Sequence, residues 1–278
     1  MTFDRIAVLD WSAANRPRRG KDSIWLGLND GQSWNPPTRA AALDLLHRLV
    51  RDTLEANETL LIGADFAFGY PQGFAQALTG QARAMAVWDW LGAHLTDGID
   101  NRSNRLALAA EINARLPGVG PFWFNPSPRD LPHLPRKGRQ RHGHGLAELR
   151  ACDRAATGAQ SVWKLGGAGA VGSQTLTGIA ALSRLCRAFP DQIAVWPFQP
   201  VPRPVVLAEV FPTLIAPAVN ARLGPGIVKD QVQVTLLARA LGALPSLAPL
   251  LAAPVFPALA EEGWILGLGH EAALLGAI

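Results

Sequence analysis

Cysteine is nearly absent. Only Cys152 and Cys186 occur in 278 residues. They exclude a disulfide framework and an all-cysteine zinc site. A reducing, cytoplasmic setting is the expectation. Charge is also sparse, at 17% of residues, and nearly balanced, with 26 Lys and Arg against 22 Asp and Glu. The net charge of +4 permits a nucleic acid or nucleotide partner without demanding one. A membrane-spanning run is missing. The apolar stretch from Leu244 to Ala260 is broken by Pro245, Pro249, Pro254 and Pro257. No membrane span carries prolines at that density, so the stretch reads as an irregular wrap over the core, with no membrane partner. Met1–Arg5 shows no basic stretch followed by an apolar one, so no signal peptide is expected. There is no Gly-x-Ser-x-Gly elbow and no motif around either cysteine, which leaves a nucleophilic triad unsupported.

What is present is an α/β pattern. Residues 5–10 form a short apolar run suited to a strand buried on both faces. Residues 23–28 alternate like a strand, Asn29-Asp30-Gly31 is a turn signal, and a third short strand is expected near 32–34. Thr38 is placed to cap a helix to about Glu55, with Leu43, Leu46, Val50 and Leu54 on one face. A parallel strand at 59–65 follows by crossover. Residues 72–150 break the rhythm and read as a helical insertion or lid, with helices near 81–96 and 102–115. They end in a loop from Pro117 to Gly145 dense in Pro, Gly, Arg and His. Further helices are expected at 146–157, 174–188, 213–222 and 230–242, and strands at 161–165, 193–198 and 205–210. No repeat or sharp linker divides the chain, so 1–278 is expected to be a single domain containing the insertion.

Four acids stand where hydrophobic segments end: Asp10, Asp65 and Glu209 after apolar runs, and Asp230 at the head of a helix. A carboxylate on a buried strand is costly without a cation or hydrogen-bond donors. Four that converge ask for a divalent metal. Mg²⁺ or Mn²⁺ takes hard oxygen ligands, and a pair of such ions roughly 3.5–4 Å apart activates water and stabilises the leaving oxygen of a phosphodiester. Each acid also has a plainer role. Asp10 can cap a turn, Asp65 can pair with an arginine, Glu209 can end a strand in a salt bridge, and Asp230 can cap its helix.

Asp10-Trp11-Ser12, Gly63-Ala64-Asp65-Phe66-Ala67-Phe68-Gly69, Glu209-Val210-Phe211-Pro212 and Lys229-Asp230-Gln231, in this order, resemble the DUF429 family of predicted nucleases. The resemblance covers most of the chain outside 72–145. It implies a ribonuclease H-like mixed sheet flanked by helices. It also implies metal-dependent phosphodiester hydrolysis, with Asp10, Asp65, Glu209 and Asp230 as catalytic, metal-binding carboxylates. Gln231 departs from the small residue usual after the last acid. Some relatives carry a label tied to molybdopterin guanine dinucleotide synthesis, for which these residues give no argument. The alternatives are a nucleotide-binding phosphotransferase of the actin-like group and a non-catalytic relative.

Trp11, Ser12, Arg150, Lys164 and Ser173 are the candidate substrate contacts. Gly167-Ala168-Gly169-Ala170-Val171-Gly172 matches the dinucleotide-binding glycine pattern, but no acid ends the next strand and no Walker lysine precedes Ser173. The loop is either an anion site, with Lys164, Ser173 and Thr175, or a turn that allows tight packing. The basic runs Arg16–Lys21 and Arg136–His144 suit either phosphate contact or a solvated surface. Trp11 adjoins Asp10 and either shapes a substrate pocket or packs in the core.

Overall fold

Along β1 (Arg5–Asp10), Ile6 and Val8 pack into one hydrophobic layer and Ala7 and Leu9 into another. This period-2 division recurs on the neighbouring strands and sets the architecture. The structure, a computed structural model, describes all residues from 1 to 278. Strands β2 (Trp25–Leu28), β3 (Ser33–Trp34), β4 (Leu60–Ala64), β5 (Ile193–Val195) and β6 (Val205–Glu209) complete a mixed sheet in the order β3-β2-β1-β4-β6-β5. The first three strands are an antiparallel meander, and β4, β6 and β5 run parallel to β1.

Helix α1 (Arg39–Glu55) begins at Thr38, whose hydroxyl accepts the Ala41 amide. It brings Leu46, Leu49 and Val50 into the larger core. Helices α2 (Phe74–Thr79), α3 (Ala84–His94) and α4 (Arg105–Arg115) follow β4, then the short α5 (Ala151–Ala155) and the long α6 (Gly172–Ala188). Trp88, Leu91, Leu108, Ile112 and Phe122 of segment 72–150 share one core with α1, α6 and the sheet. The opposite face is covered by α8 (Lys229–Ala243), which follows α7 (Ala216–Asn220). Short helices α9 (Ala248–Leu251), α10 (Leu259–Glu262) and α11 (Glu271–Gly276) close the chain. Helix α8 lies so close to β2 that a Cβ on Gly27 would come 2.7 Å from the Thr235 amide nitrogen.

Two expected elements differ. Residues 161–165 form a turn, joined to Trp123 by one isolated bridge at Lys164, because Ser161 tethers them locally. The helix expected at 146–157 shrinks to 151–155, because Arg150 begins it in extended conformation, tied to Asp153. No helix is long and apolar enough to cross a membrane.

Candidate functional site

Strand register decides which acids meet. Leu9 lies opposite Ala64, and Ala64 opposite Glu209. Asp10 and Asp65 are therefore the next step on adjacent parallel strands, at their carboxyl ends, and the Asp65 amide donates to the Leu9 carbonyl. Such ends are where open α/β sheets hold ligands. Burial raises the pKa of both carboxyls, and each is raised further by neighbouring acids: Asp10 by Asp65, Asp230 and Asp22, and Asp65 by Glu209 and Asp230. Asp65 is pushed up to about 7. No arginine, lysine or hydrogen-bond donor counters either shift. Both residues keep an edge open to solvent.

Asp230 reaches the pair from the first turn of α8. Its Oδ2 accepts the amide of Asp22 at 2.7 Å. Burial raises its pKa, opposed by that hydrogen bond and by Lys229 and Lys21. Asp22 itself takes a positive φ of 54°. Sequence reasoning missed it, because it closes a basic stretch that reads as a solvated hairpin. Its closeness to Asp10 arises from the chain doubling back after β1, and no local pattern encodes that. An open cavity of about 790 Å³ is lined by Lys21, Asp22, Lys229 and Asp230. The loop after Asp10 is fixed by Arg39, whose Nη1 donates to the carbonyls of Ser12 at 3.1 Å and Ala14 at 2.9 Å. Ser12 is half-buried beside it, and its hydroxyl accepts the Ala14 amide.

Glu209 is spoken for. Its Oε1 takes Nη2 of Arg150 at 2.6 Å, and its Oε2 takes Nη1 at 2.7 Å and the Phe68 amide at 2.8 Å. The same guanidinium binds Asp153, and all three side chains are buried. Cys152, Asp153 and Glu209 bring ligand atoms within 4.8 Å of one another. Arg150 already supplies their cation, and burial pushes the Cys152 thiol up, away from the thiolate a metal needs. The expectation that Glu209 ligates a metal is corrected to an ion pair, and Arg150 is corrected from a substrate contact to that pair's other half.

Two further substrate candidates, Ser173 and Lys164, are also corrected, and Trp11 takes the packing role. Trp11 is buried, and its indole donates to Thr177 at 3.1 Å, so it packs between β1 and α6. Ser173 is buried, donates to the Leu165 carbonyl and accepts from Arg105. The Lys164 ammonium folds back onto the Ala168 carbonyl at 2.6 Å, within its own loop. That glycine loop serves packing. A Cβ on Gly172 would come 2.5 Å from the Val162 carbonyl, and one on Gly166 2.7 Å from Phe124. In the second basic run, Arg136 binds Asp130 and the carbonyls of Asn125, Ser127 and Pro128, while Arg141 binds Glu148 and lies over Trp123. Both arginines stitch the loop together.

No family model, curated protein or solved structure significantly matches this chain.

Proposed function

We propose that the protein is a metal-dependent phosphodiester hydrolase with a ribonuclease H-like sheet. The observation that carries the reading is the pair Asp10 and Asp65. Two largely buried carboxylates stand at the ends of adjacent parallel strands, and only like charges and burial act on them. Such a pair is costly at neutral pH and becomes favourable when a cation joins it. The donor set is all oxygen, which suits Mg²⁺ or Mn²⁺ over softer metals. The sheet order, an antiparallel meander followed by strands parallel to the first, supports the ribonuclease H-like assignment.

In this reading Asp10 and Asp65 hold the ion and Asp230 completes its shell. A divalent ion there supplies Lewis acidity toward water and a phosphate oxygen. The residues do the rest. Asp65, raised to about 7 by burial and by Glu209 and Asp230 in the metal-free chain, would give up its proton as the cation binds and serve as an ionised oxygen ligand. Lys21 and Lys229 line an open cavity with Asp22 and Asp230, where their charge favours an anionic substrate. The hydrogen bond from Asp22 orients Asp230, and Arg39 fixes the loop that leaves Asp10.

The phosphotransferase alternative has less support. Its phosphate cradle would be the 166–173 loop, whose glycines are packed and whose Ser173 is committed to Leu165. Hydrolysis of an activated aryl phosphodiester with Mn²⁺ tests the proposal. Wild type should turn over, and Asp10→Asn and Asp65→Asn should each lose about 100-fold or more. Equal rates in all three would assign the cleavage to something else.

A further inference from the structure

A second cleft of about 950 Å³ opens between the loop that leaves Asp10 and the start of α4. Four arginines line it, Arg16, Arg102, Arg105 and Arg129, against a single carboxylate, Asp100, which is paired with Arg102 at 3.1 Å. Arg105 is the unusual one. It is only 6% exposed, yet no carboxylate meets it. The nearby Asp97 has both oxygens taken by Arg39, at 2.6 and 2.7 Å. Two buried guanidiniums thus share the neighbourhood of one carboxylate. Arg105 is left with neutral partners: Nε on Ser173, and Nη1 on Asn15 and Ser103. Nothing accepts from its Nη2, although the residue lines the cleft. A buried, unpaired cation is expensive, and burial together with Arg39 holds its pKa down at about 10.

The backbone at the same spot asks for negative charge too. Arg105, Leu106 and Ala107 open α4, and no side chain caps the helix, since Asn104 spends its amide group on Thr96 and His94. No carbonyl or side chain accepts the amides of those three residues. Free amides at a helix start, a forked guanidinium and flanking arginines are the components of a phosphate site. Asn15, Arg16 and Pro17 form one wall of the cleft and Ser127 and Arg129 another. Its volume is that of a nucleotide-sized ligand.

We propose that this cleft binds the phosphate group of a phosphorylated, nucleotide-sized ligand, with Arg105 and the first-turn amides of α4 as its seat. Arg16 and Arg129 are the outer contacts. Arg16, Arg105 and Arg129 have no carboxylate partner, so the ligand's charge replaces the anion that the fold does not provide. The site goes beyond the hydrolase reading, because binding needs neither a divalent ion nor Asp10 and Asp65.

The test uses the full chain in chelator, by titration calorimetry and thermal melting, with inorganic phosphate, a mononucleoside 5′-phosphate and a short single strand with or without a 5′-phosphate. Chloride at matched ionic strength is the control. Phosphate-bearing probes should bind and raise the melting temperature above the chloride control. The double variant R16E/R129E changes exposed side chains that make no internal bonds. It should fold normally and bind about tenfold or more weaker per lost contact. Arg105→Lys should weaken binding while keeping the charge, because it loses the fork. Asp10→Asn should bind as wild type. A mononucleotide that matches the phosphorylated strand identifies a small-molecule ligand, and a strand that binds tighter identifies a polynucleotide end; either supports the phosphate seat. No phosphate-specific shift over chloride, or undiminished binding by R16E/R129E, overturns it.

Discussion

The amide of Asp22 donates to the carboxylate of Asp230 at 2.7 Å, across 208 positions of sequence. This bond joins the loop that leaves β1 to the head of α8, and it places a third acid beside Asp10 and Asp65. Removing the acceptor should loosen the loop while leaving the core intact. Asp230→Ala is expected to cost about 0.5–1.5 kcal/mol. Amide exchange should quicken at Asp22 and its neighbours while β1 stays protected. Unchanged exchange there would show that the bond does not hold the loop.

Proton linkage gives an independent readout of the acid pair. Between the ordinary 3.8 and about 7, the folded chain keeps a proton on Asp65 that the unfolded chain has lost. Without metal, stability therefore falls as pH rises through that window. Asp65→Asn removes the penalty. The variant should be more stable than wild type at about pH 8, by up to about 4 kcal/mol, and coincide with it below the ordinary value. A gap that widens toward acid would contradict the assignment.

Glu209 separates structure from metal binding. Because Arg150 occupies both its oxygens, Arg150→Ala should be strongly destabilising, by about 3–5 kcal/mol, since it strands buried carboxylates. Glu209→Gln should lower the melting temperature yet bind Mn²⁺ as wild type does. A large loss of Mn²⁺ affinity in Glu209→Gln would return Glu209 to the metal shell.

Gly27 connects packing to the site. A Cβ there meets the backbone of α8 at 2.7 Å, and backbone cannot rotate out of the way. Gly27→Ala should cost about 1–3 kcal/mol. It should also weaken Mn²⁺ binding, because Asp230 rides on the helix that must shift. Normal stability would mean that α8 has slack against the sheet.

The strands and their acid ends were legible because the signal is local: an apolar run followed by a carboxylate marks where a buried strand stops. The arrangement of the first four strands followed from the turn after Leu28 and the capped helix after Thr38, while nothing local placed β6 between β4 and β5. Roles set by distant partners were not legible. Glu209 looks like Asp65 in sequence, since each follows an apolar strand, and only the arrival of Arg150, 59 residues away, distinguishes them. Trp11 gives no sign that Thr177 will enclose it. The unmet charge of Arg105 depends on Arg39 having taken Asp97, a competition between three segments. Segment 72–150 read as an insertion because it interrupts the alternation of strands and helices, and no local pattern announced that Trp88, Ile112 and Phe122 would share the main core.

Direct observation of Mn²⁺ tests the central claim most sharply. In a crystal soaked with Mn²⁺, anomalous scattering should place an ion between the carboxylates of Asp10 and Asp65, with none beside Arg150, and Asp10→Asn should abolish the peak. An empty position between Asp10 and Asp65, or a peak undiminished in Asp10→Asn, would contradict the account.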